Sequence, residues 1–228
     1  MAQQGTTMAI DIIDHMLPYD THNTYDVIFY GQSVLTTVTQ DPTIAAQWIS
    51  EVEAIHRRRL TSLIVGLDAE WRPSFNRHIV NPVATLQLCV GHRCLIFQLI
   101  HSPSIPPSLV NFLSNPNYTF VGIGIEPDLE KLQEDYELGF STRFVDLRSL
   151  AADRYGRREL KQAGVKRLSM EVLEKELEKP KRVTMSRWDN QWLTPAQVQY
   201  ACLDAFVCFE IGRILNASSA SSSSSSSG

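Results

Sequence analysis

Short apolar segments separated by turn residues dominate the first two thirds of the chain and predict β-strands. Residues 25–30 and 33–38 are rich in strand-forming side chains, and Gly31-Gln32 between them is typical of a hairpin. Residues 63–67 form a continuous apolar run whose length suits a strand covered on both faces. The same reasoning predicts further strands over residues 83–90, 93–99, 118–123 and 143–146.

Apolar residues with helical spacing fill much of the rest. Ile44, Trp48 and Val52 recur on one face of the segment after the first hairpin, as expected for an amphipathic helix. The last helix has the clearest start, because Thr194 and Gln197 have the spacing of a capping box. Helices are predicted over residues 42–59, 107–113, 127–136, 147–155, 168–177 and 194–215.

The order of these elements predicts an α/β protein with a single domain over residues 24–215. Antiparallel strands come first and strands then alternate with helices, which favours a mixed sheet flanked by helices. Residues 1–23 are polar and irregular, and we expect a flexible arm there. Residues 216–228 are nearly all Ser and Ala, a composition that predicts a disordered tail.

Composition argues against export and against a membrane protein. The chain is 43% hydrophobic and 20% charged, which is ordinary for a globular domain, and no apolar run reaches the length of a membrane span. The first Lys or Arg is Arg57, so the N-terminus lacks the basic region of a signal peptide. The four cysteines form no CxxC pair and are expected to be buried, reduced thiols. We therefore expect a cytoplasmic or nuclear protein that is not secreted.

The charge is unevenly distributed along the chain. The net charge is −4, but residues 143–187 hold 13 Lys and Arg against 7 Asp and Glu. A basic region attached to an acidic body suits a protein that binds phosphates with one part and metal ions with another. A solvated helical surface with salt-bridge partners would have the same composition.

Two carboxylates, Asp68 and Glu70, directly follow the apolar run at residues 63–67. Side chains alternate between the faces of a strand, so these two project from the same face. Two such acids would repel each other strongly unless a cation lay between them, and this pattern indicates a metal site. A single acid here could instead form a turn or cap a helix.

Three more candidates lie in two later stretches. Asp128 begins a predicted helix, where it could simply offset the helix dipole, but it follows a strand whose glycines suggest close approach of another segment. Tyr200 and Asp204 are four residues apart on the last helix and share a face. A tyrosine there is usually part of the core, whereas a buried unpaired carboxylate is costly.

The acidic stretches, in this order, resemble the motifs of the DnaQ-like (DEDD) 3′→5′ exonucleases, in the subgroup that carries a tyrosine. Residues 68–71, 122–132 and 199–206 look like those of the Werner-syndrome-type exonuclease domain, and residues 82–88 and 186–188 also fit. The resemblance covers about residues 60–215. It is strongest to the stand-alone plant members, including the RISC-interacting clearing exoribonucleases.

The resemblance implies an RNase H-like fold and two divalent ions, Mg²⁺ or Mn²⁺. Asp68, Glu70 and Asp204 would bind metal, and Asp128 would hold the second ion. Tyr200 would orient the attacking water. Two ions can stabilise both the entering and the leaving oxygen of an in-line displacement.

Two residues are candidate contacts to nucleic acid. Trp71 could stack on the terminal base or simply belong to the core, and Arg187 could touch backbone phosphates. No separate nucleic-acid-binding motif is evident. Affinity for nucleic acid would then come from the domain itself, from a homo-oligomer, or from a partner of the RISC/Argonaute type. A monomeric mass in light scattering would exclude the homo-oligomer.

The expected function is therefore metal-dependent 3′→5′ exonucleolytic hydrolysis of single-stranded nucleic acid to nucleoside 5′-monophosphates. RNA is slightly preferred over DNA because of the plant-like resemblance. The alternatives are a DNA-directed Werner-like exonuclease in repair, an RNase H-type or Holliday-junction nuclease, and an inactive nucleic-acid-binding scaffold.

Overall fold

Eight strands form one mixed sheet at the centre of the protein. The computed structural model describes residues 9–18, 20–74, 76 and 78–220. The spatial order of the strands is β1-β2-β3-β6-β5-β4-β7-β8. In chain order they are β1 (Ile10–Asp14), β2 (His22–Phe29), β3 (Gln32–Thr39), β4 (Leu63–Trp71), β5 (Val83–Val90), β6 (Arg93–Phe97), β7 (Tyr118–Gly122) and β8 (Phe144–Asp146).

The sheet changes from antiparallel to parallel along its width. β1, β2 and β3 are antiparallel neighbours, as are β6, β5 and β4. The parallel pairs are β3 with β6, β4 with β7, and β7 with β8. All eight residues of β5 are buried, as its apolar composition predicts for a central strand.

Helices cover both faces of the sheet, and the buried side chains form two apolar clusters. One cluster contains side chains of the first three helices, and the other contains those of the seventh and its neighbours. The helices are α1 (Pro42–Ile55), α2 (Pro107–Leu113), α3 (Ile125–Tyr136), α4 (Leu147–Tyr155), α5 (Val165–Leu168), α6 (Lys181–Thr184), α7 (Pro195–Ile214) and α8 (Ala217–Ala220). Within the ranges given above, no helix combines the length and the hydropathy that crossing a membrane requires.

α7 begins at the predicted capping box and packs against the sheet at an unusually short distance. A Cβ atom at Gly66 of β4 would overlap the carbonyl oxygen of Ala205 and would lie 2.9 Å from the backbone nitrogen of Phe209. Only a residue without a side chain allows the two backbones to come this close. Residues Val198 to Gly212 of α7 are buried except Gln199, because the sheet covers one side and later segments cover the other.

Two predicted elements are wrong in detail. Residues 10–14 were expected to be irregular, but they form β1, because an isoleucine-rich segment pairs along the exposed edge of β2. The helix predicted over 168–177 ends early: residues Ser169–Leu173 form a π-helical turn, Glu174 adopts a left-handed conformation, and Ser169 Oγ donates to the Lys175 carbonyl at 2.7 Å. β4 runs to Trp71 and includes Asp68 and Glu70, as predicted.

The chain ends described here also differ from the prediction. Ala217–Ala220 form α8 with Ala217 buried, and Arg143 donates to the Ser218 carbonyl at 3.1 Å, so the predicted tail is ordered over this stretch. The remainder of the tail, residues 221–228, and residues 1–8 of the predicted arm lie outside the described residues.

Replacing Gly66 by alanine should destabilise the fold strongly. The added methyl group meets backbone atoms that cannot rotate away, and overpacking of this kind costs about 2 kcal/mol. Urea unfolding measures the loss. Gly164→Ala is the matched control, because a Cβ there meets nothing within 4 Å and the backbone conformation is ordinary. Equal stabilities of the two variants would contradict the close packing of β4 and α7.

Candidate active site

Three of the predicted acids meet where β4 passes α7. Asp68 and Glu70 project from the same face of β4, and Asp204 lies on α7 beside Ala205, the residue that contacts Gly66. One ligand oxygen from each carboxylate lies within 4.8 Å of the others. The close packing at Gly66 therefore brings the acid of the helix to the acids of the strand.

Asp128 approaches the same place from the first turn of α3. The turn from β7 into α3 passes tightly against β4, since a Cβ at Gly122 would lie 2.9 Å from the Leu67 carbonyl oxygen. Asp128 is not part of the group whose oxygens lie within 4.8 Å. Its negative charge nevertheless raises the pKa of both Asp68 and Glu70.

Burial and mutual repulsion raise the pKa of these carboxyl groups. Burial, followed by the charges of Asp204 and Glu70, raises the pKa of Asp68 well above its usual range. Burial and the charge of Asp204 raise the pKa of Glu70 to about 8, and burial raises that of Asp128 to about 7. Asp68 Oδ2 is buried and has no hydrogen-bond partner in the described part of the chain. A cation among these oxygens would remove the cost.

Tyr200 lies one helical turn before Asp204 and is also buried. Its ring packs against Trp188, with centroids 5.8 Å apart, and its hydroxyl oxygen accepts a hydrogen bond from Thr184 Oγ1 at 3.4 Å. Burial and the charge of Asp204 raise the pKa of the Tyr200 hydroxyl. The group therefore stays protonated at neutral pH and can donate a hydrogen bond.

Sequence reasoning missed one residue of this site, Lys179. Its Nζ lies 2.6 Å from Asp204 Oδ2 and 4.7 Å from the centre of the Tyr200 ring. Burial alone would lower the pKa of Lys179, but the charges of Asp204 and Asp68 outweigh it and the pKa is raised. The only signal in the sequence was the basic region that contains it, and no spacing distinguished it from neighbouring lysines.

Comparison with known proteins now assigns the family. A sequence model of a family described as 3′-5′ exonuclease matches residues 36–218. The chain belongs to the 3′-5′ exonuclease family. The predicted resemblance to DnaQ-like exonucleases is thereby confirmed.

Named exonucleases are among the relatives by sequence. An Arabidopsis thaliana protein named 3′-5′ exonuclease is 38% identical over 154 residues, which are 66% of this chain and 52% of the relative. The mouse bifunctional 3′-5′ exonuclease/ATP-dependent helicase WRN is 33% identical over 155 residues, which are 68% of this chain and 11% of WRN. The chain thus matches about half of the plant relative and a small part of WRN.

Solved structures of exonucleases share the fold. Escherichia coli RNase D, an exoribonuclease involved in structured RNA processing, aligns with a TM-score of 0.65 and 19% identity over 81% of this chain and 45% of RNase D. The EXO domain of Aedes aegypti Nibbler aligns with a TM-score of 0.61 and 17% identity over 82% of this chain and 89% of that domain. These likenesses confirm the predicted RNase H-like α/β fold.

The two predicted nucleic-acid contacts are sequence neighbours of residues described above: Trp71 follows Glu70, and Arg187 precedes Trp188, which packs on Tyr200. Trp71 follows a bulge in β4 and is partly buried, and Lys131 Nζ lies 5.5 Å from the centre of its ring. The Arg187 side chain is 61% exposed and pairs with Asp189 at 3.3 Å; Asp189 also pairs with Arg72 at 3.2 Å. Stacking by Trp71 and phosphate binding by Arg187 stay predictions.

The raised pKa values predict that the metal-free protein loses stability as the pH rises. In the unfolded chain Glu70 and Asp128 ionise near pH 4, whereas in the folded protein they hold their protons until about pH 8 and 7. Between these limits the folded state binds more protons, so the free energy of unfolding falls from about pH 4 to pH 8. Urea unfolding in EDTA across this range measures the slope.

Comparison with a variant isolates the contribution of one acid. Glu70→Gln should have a flatter pH dependence than the wild type, because one titrating group is removed, whereas Asp153→Asn, at an exposed position, should retain the wild-type slope. The difference in the free energy of unfolding, wild type minus Glu70→Gln, should fall as the pH rises. A difference that rises with pH would contradict the raised pKa of Glu70.

Proposed function

We propose that this protein is a metal-dependent 3′→5′ exonuclease that hydrolyses single-stranded nucleic acid to nucleoside 5′-monophosphates. The observation that carries the proposal is the convergence of Asp68, Glu70 and Asp204 within 4.8 Å, with one buried Asp68 oxygen unpaired, in a chain of the 3′-5′ exonuclease family. Buried acids in this arrangement are unfavourable unless they serve cations.

The carboxylates fit divalent metal ions. Members of the family use such ions, and carboxylate oxygens are the ligands that Mg²⁺ and Mn²⁺ prefer. Asp68, Glu70 and Asp204 would hold one ion, and Asp128, which is not part of that group, would hold a second. When bound, two such ions supply charge stabilisation for the phosphodiester and acidify water at neutral pH.

Tyr200 is suited to positioning a water molecule rather than to removing its proton. Its hydroxyl stays protonated because its pKa is raised, and its oxygen already accepts from Thr184. The ring packs on Trp188, which holds the hydroxyl group in place. A water held by this donor next to Asp204 would be oriented for attack on a terminal phosphodiester.

RNA is the substrate we propose first. Support comes from the resemblance of the motifs to those of the plant exoribonucleases, and a link to small-RNA clearance with an Argonaute-type partner follows from the same resemblance. The proposed location, the cytoplasm or nucleus, rests on the composition of the chain. DNA is the second candidate, because 33% identity to the exonuclease region of mouse WRN joins this chain to a family member fused to a helicase.

A labelled-substrate assay tests the activity and the substrate together. Single-stranded RNA and DNA of the same sequence, each labelled at the 5′ end, are incubated with the protein in Mg²⁺, Mn²⁺ or EDTA. We expect a ladder that shortens from the 3′ end, faster on RNA, and no cleavage in EDTA. Internal cuts would indicate an endonuclease, faster cleavage of DNA would reverse the substrate order, and intact polymers in every metal would indicate a scaffold.

Single substitutions should separate metal ligands from the tyrosine. Asp68→Asn and Asp204→Ala remove oxygens of the acidic cluster, so turnover should fall about a thousandfold or more. Tyr200→Phe keeps all four acids and should cost about a hundredfold. Initial rates on the preferred substrate measure these effects. The exposed Asp153→Asn serves as control, and wild-type turnover by Asp68→Asn would refute the role of that residue.

A further inference from the structure

Lys179 reaches the acidic cluster from an irregular segment, residues 174–180, that is anchored on both sides of the lysine. Upstream, the Tyr30 hydroxyl donates to the Glu176 carbonyl at 3.2 Å and accepts from the Glu176 nitrogen at 3.0 Å. Downstream, Thr184 bonds to the Tyr200 hydroxyl. These anchors fix the backbone on either side of Lys179, and its side chain contacts Asp204.

The Lys179 ammonium occupies the position of a cation in the cluster. Its Nζ lies 2.6 Å from Asp204 Oδ2, and its positive charge opposes the upward shift in the pKa of each of the four acids. Asp204 is one of the three carboxylates whose oxygens converge within 4.8 Å. An ammonium and a divalent ion cannot both neutralise the same carboxylate oxygen without repelling each other.

The surroundings leave room for the side chain to move. A cavity of about 680 Å³ adjoins Asp204 and Tyr200 and is also lined by Glu178 and Pro180, the two neighbours of Lys179 in the chain. The Lys179 side chain itself is 27% exposed. A long, flexible and partly exposed side chain whose chain neighbours line a cavity can leave a carboxylate without unfolding the segment that carries it.

We propose that Lys179 is a positioning residue that competes with a divalent metal ion for Asp204. In the metal-free protein it neutralises Asp204 and lowers the repulsion within the acidic cluster. Binding of an ion requires this ammonium to leave Asp204 Oδ2, so Lys179 weakens metal affinity in the absence of substrate. The inference rests on the proposed function, because it takes the acidic cluster to be a metal site.

Mn²⁺ binding to the protein alone tests the competition. Lys179→Met removes the charge and keeps the length of the side chain, so the dissociation constant for Mn²⁺, measured by electron paramagnetic resonance of the free ion, should fall about tenfold, equivalent to about 1.4 kcal/mol. The rise in Tm caused by Mn²⁺ should be correspondingly larger than in the wild type. Lys179→Arg retains a cation and should not bind Mn²⁺ more tightly than the wild type.

Lys181→Met is the matched control, because it makes the same change at an exposed position two residues away, and its Mn²⁺ affinity should equal that of the wild type. Lys179→Gln also removes the charge but can still donate a hydrogen bond to Asp204, and it carries the same expectation should the methionine variant not fold. A purely structural role for Lys179 predicts the opposite sign, since a disturbed cluster would bind Mn²⁺ more weakly.

The outcomes distinguish this inference from the proposed function. In one outcome the wild-type protein binds Mn²⁺ and the variants without the Lys179 charge bind it equally or more weakly. That result would overturn the competition and leave the exonuclease proposal standing. A wild-type protein and charge-free variants that all fail to bind Mn²⁺ would overturn both. Tighter binding confined to the charge-free variants at position 179 would support the competition.

Discussion

The contact between the backbones of β4 and α7 opposes the repulsion that would otherwise separate the acids. Gly66 and Ala205 lie at this contact. Gly66 lies two residues before Asp68 on β4, and Ala205 directly follows Asp204 on α7. The carboxylates thus stay close because a large apolar interface on both sides of α7 holds them together, although their charges oppose it. The stability of the core thereby sustains a locally unfavourable arrangement.

The close packing of these acids destabilises the folded protein and also gives the acids their chemical use. Each acid has a raised pKa because it is buried among others, and such perturbed groups cluster at functional sites. Lys179 relieves part of the cost within the protein itself. The site therefore balances negative charge from β4 and α7 against the positive charge of Lys179.

The central strands and the acids could be predicted from the sequence, since carboxylates within apolar segments are rare and leave a clear pattern. Asp68, Glu70 and Asp204 lie together as expected, and Asp128 lies close enough to affect their pKa. Lys179 could not be predicted, because its position depends on the path of an irregular segment after the π-helical turn. β1 was missed because an edge strand with alternating acids lacks the continuous apolar run of a buried strand.

The anchor provided by Tyr30 links the chemistry to a part of the chain that lies outside the family match. That match begins at residue 36, yet Tyr30 holds both polar atoms of the Glu176 backbone, three residues before Lys179. A fragment that begins at residue 36 would keep all four acids and Tyr200. It would lose the two hydrogen bonds that hold the backbone upstream of Lys179. Tyr30, in the turn between β2 and β3, therefore helps to place Lys179 beside the acids although it lies outside the residues that the family match covers.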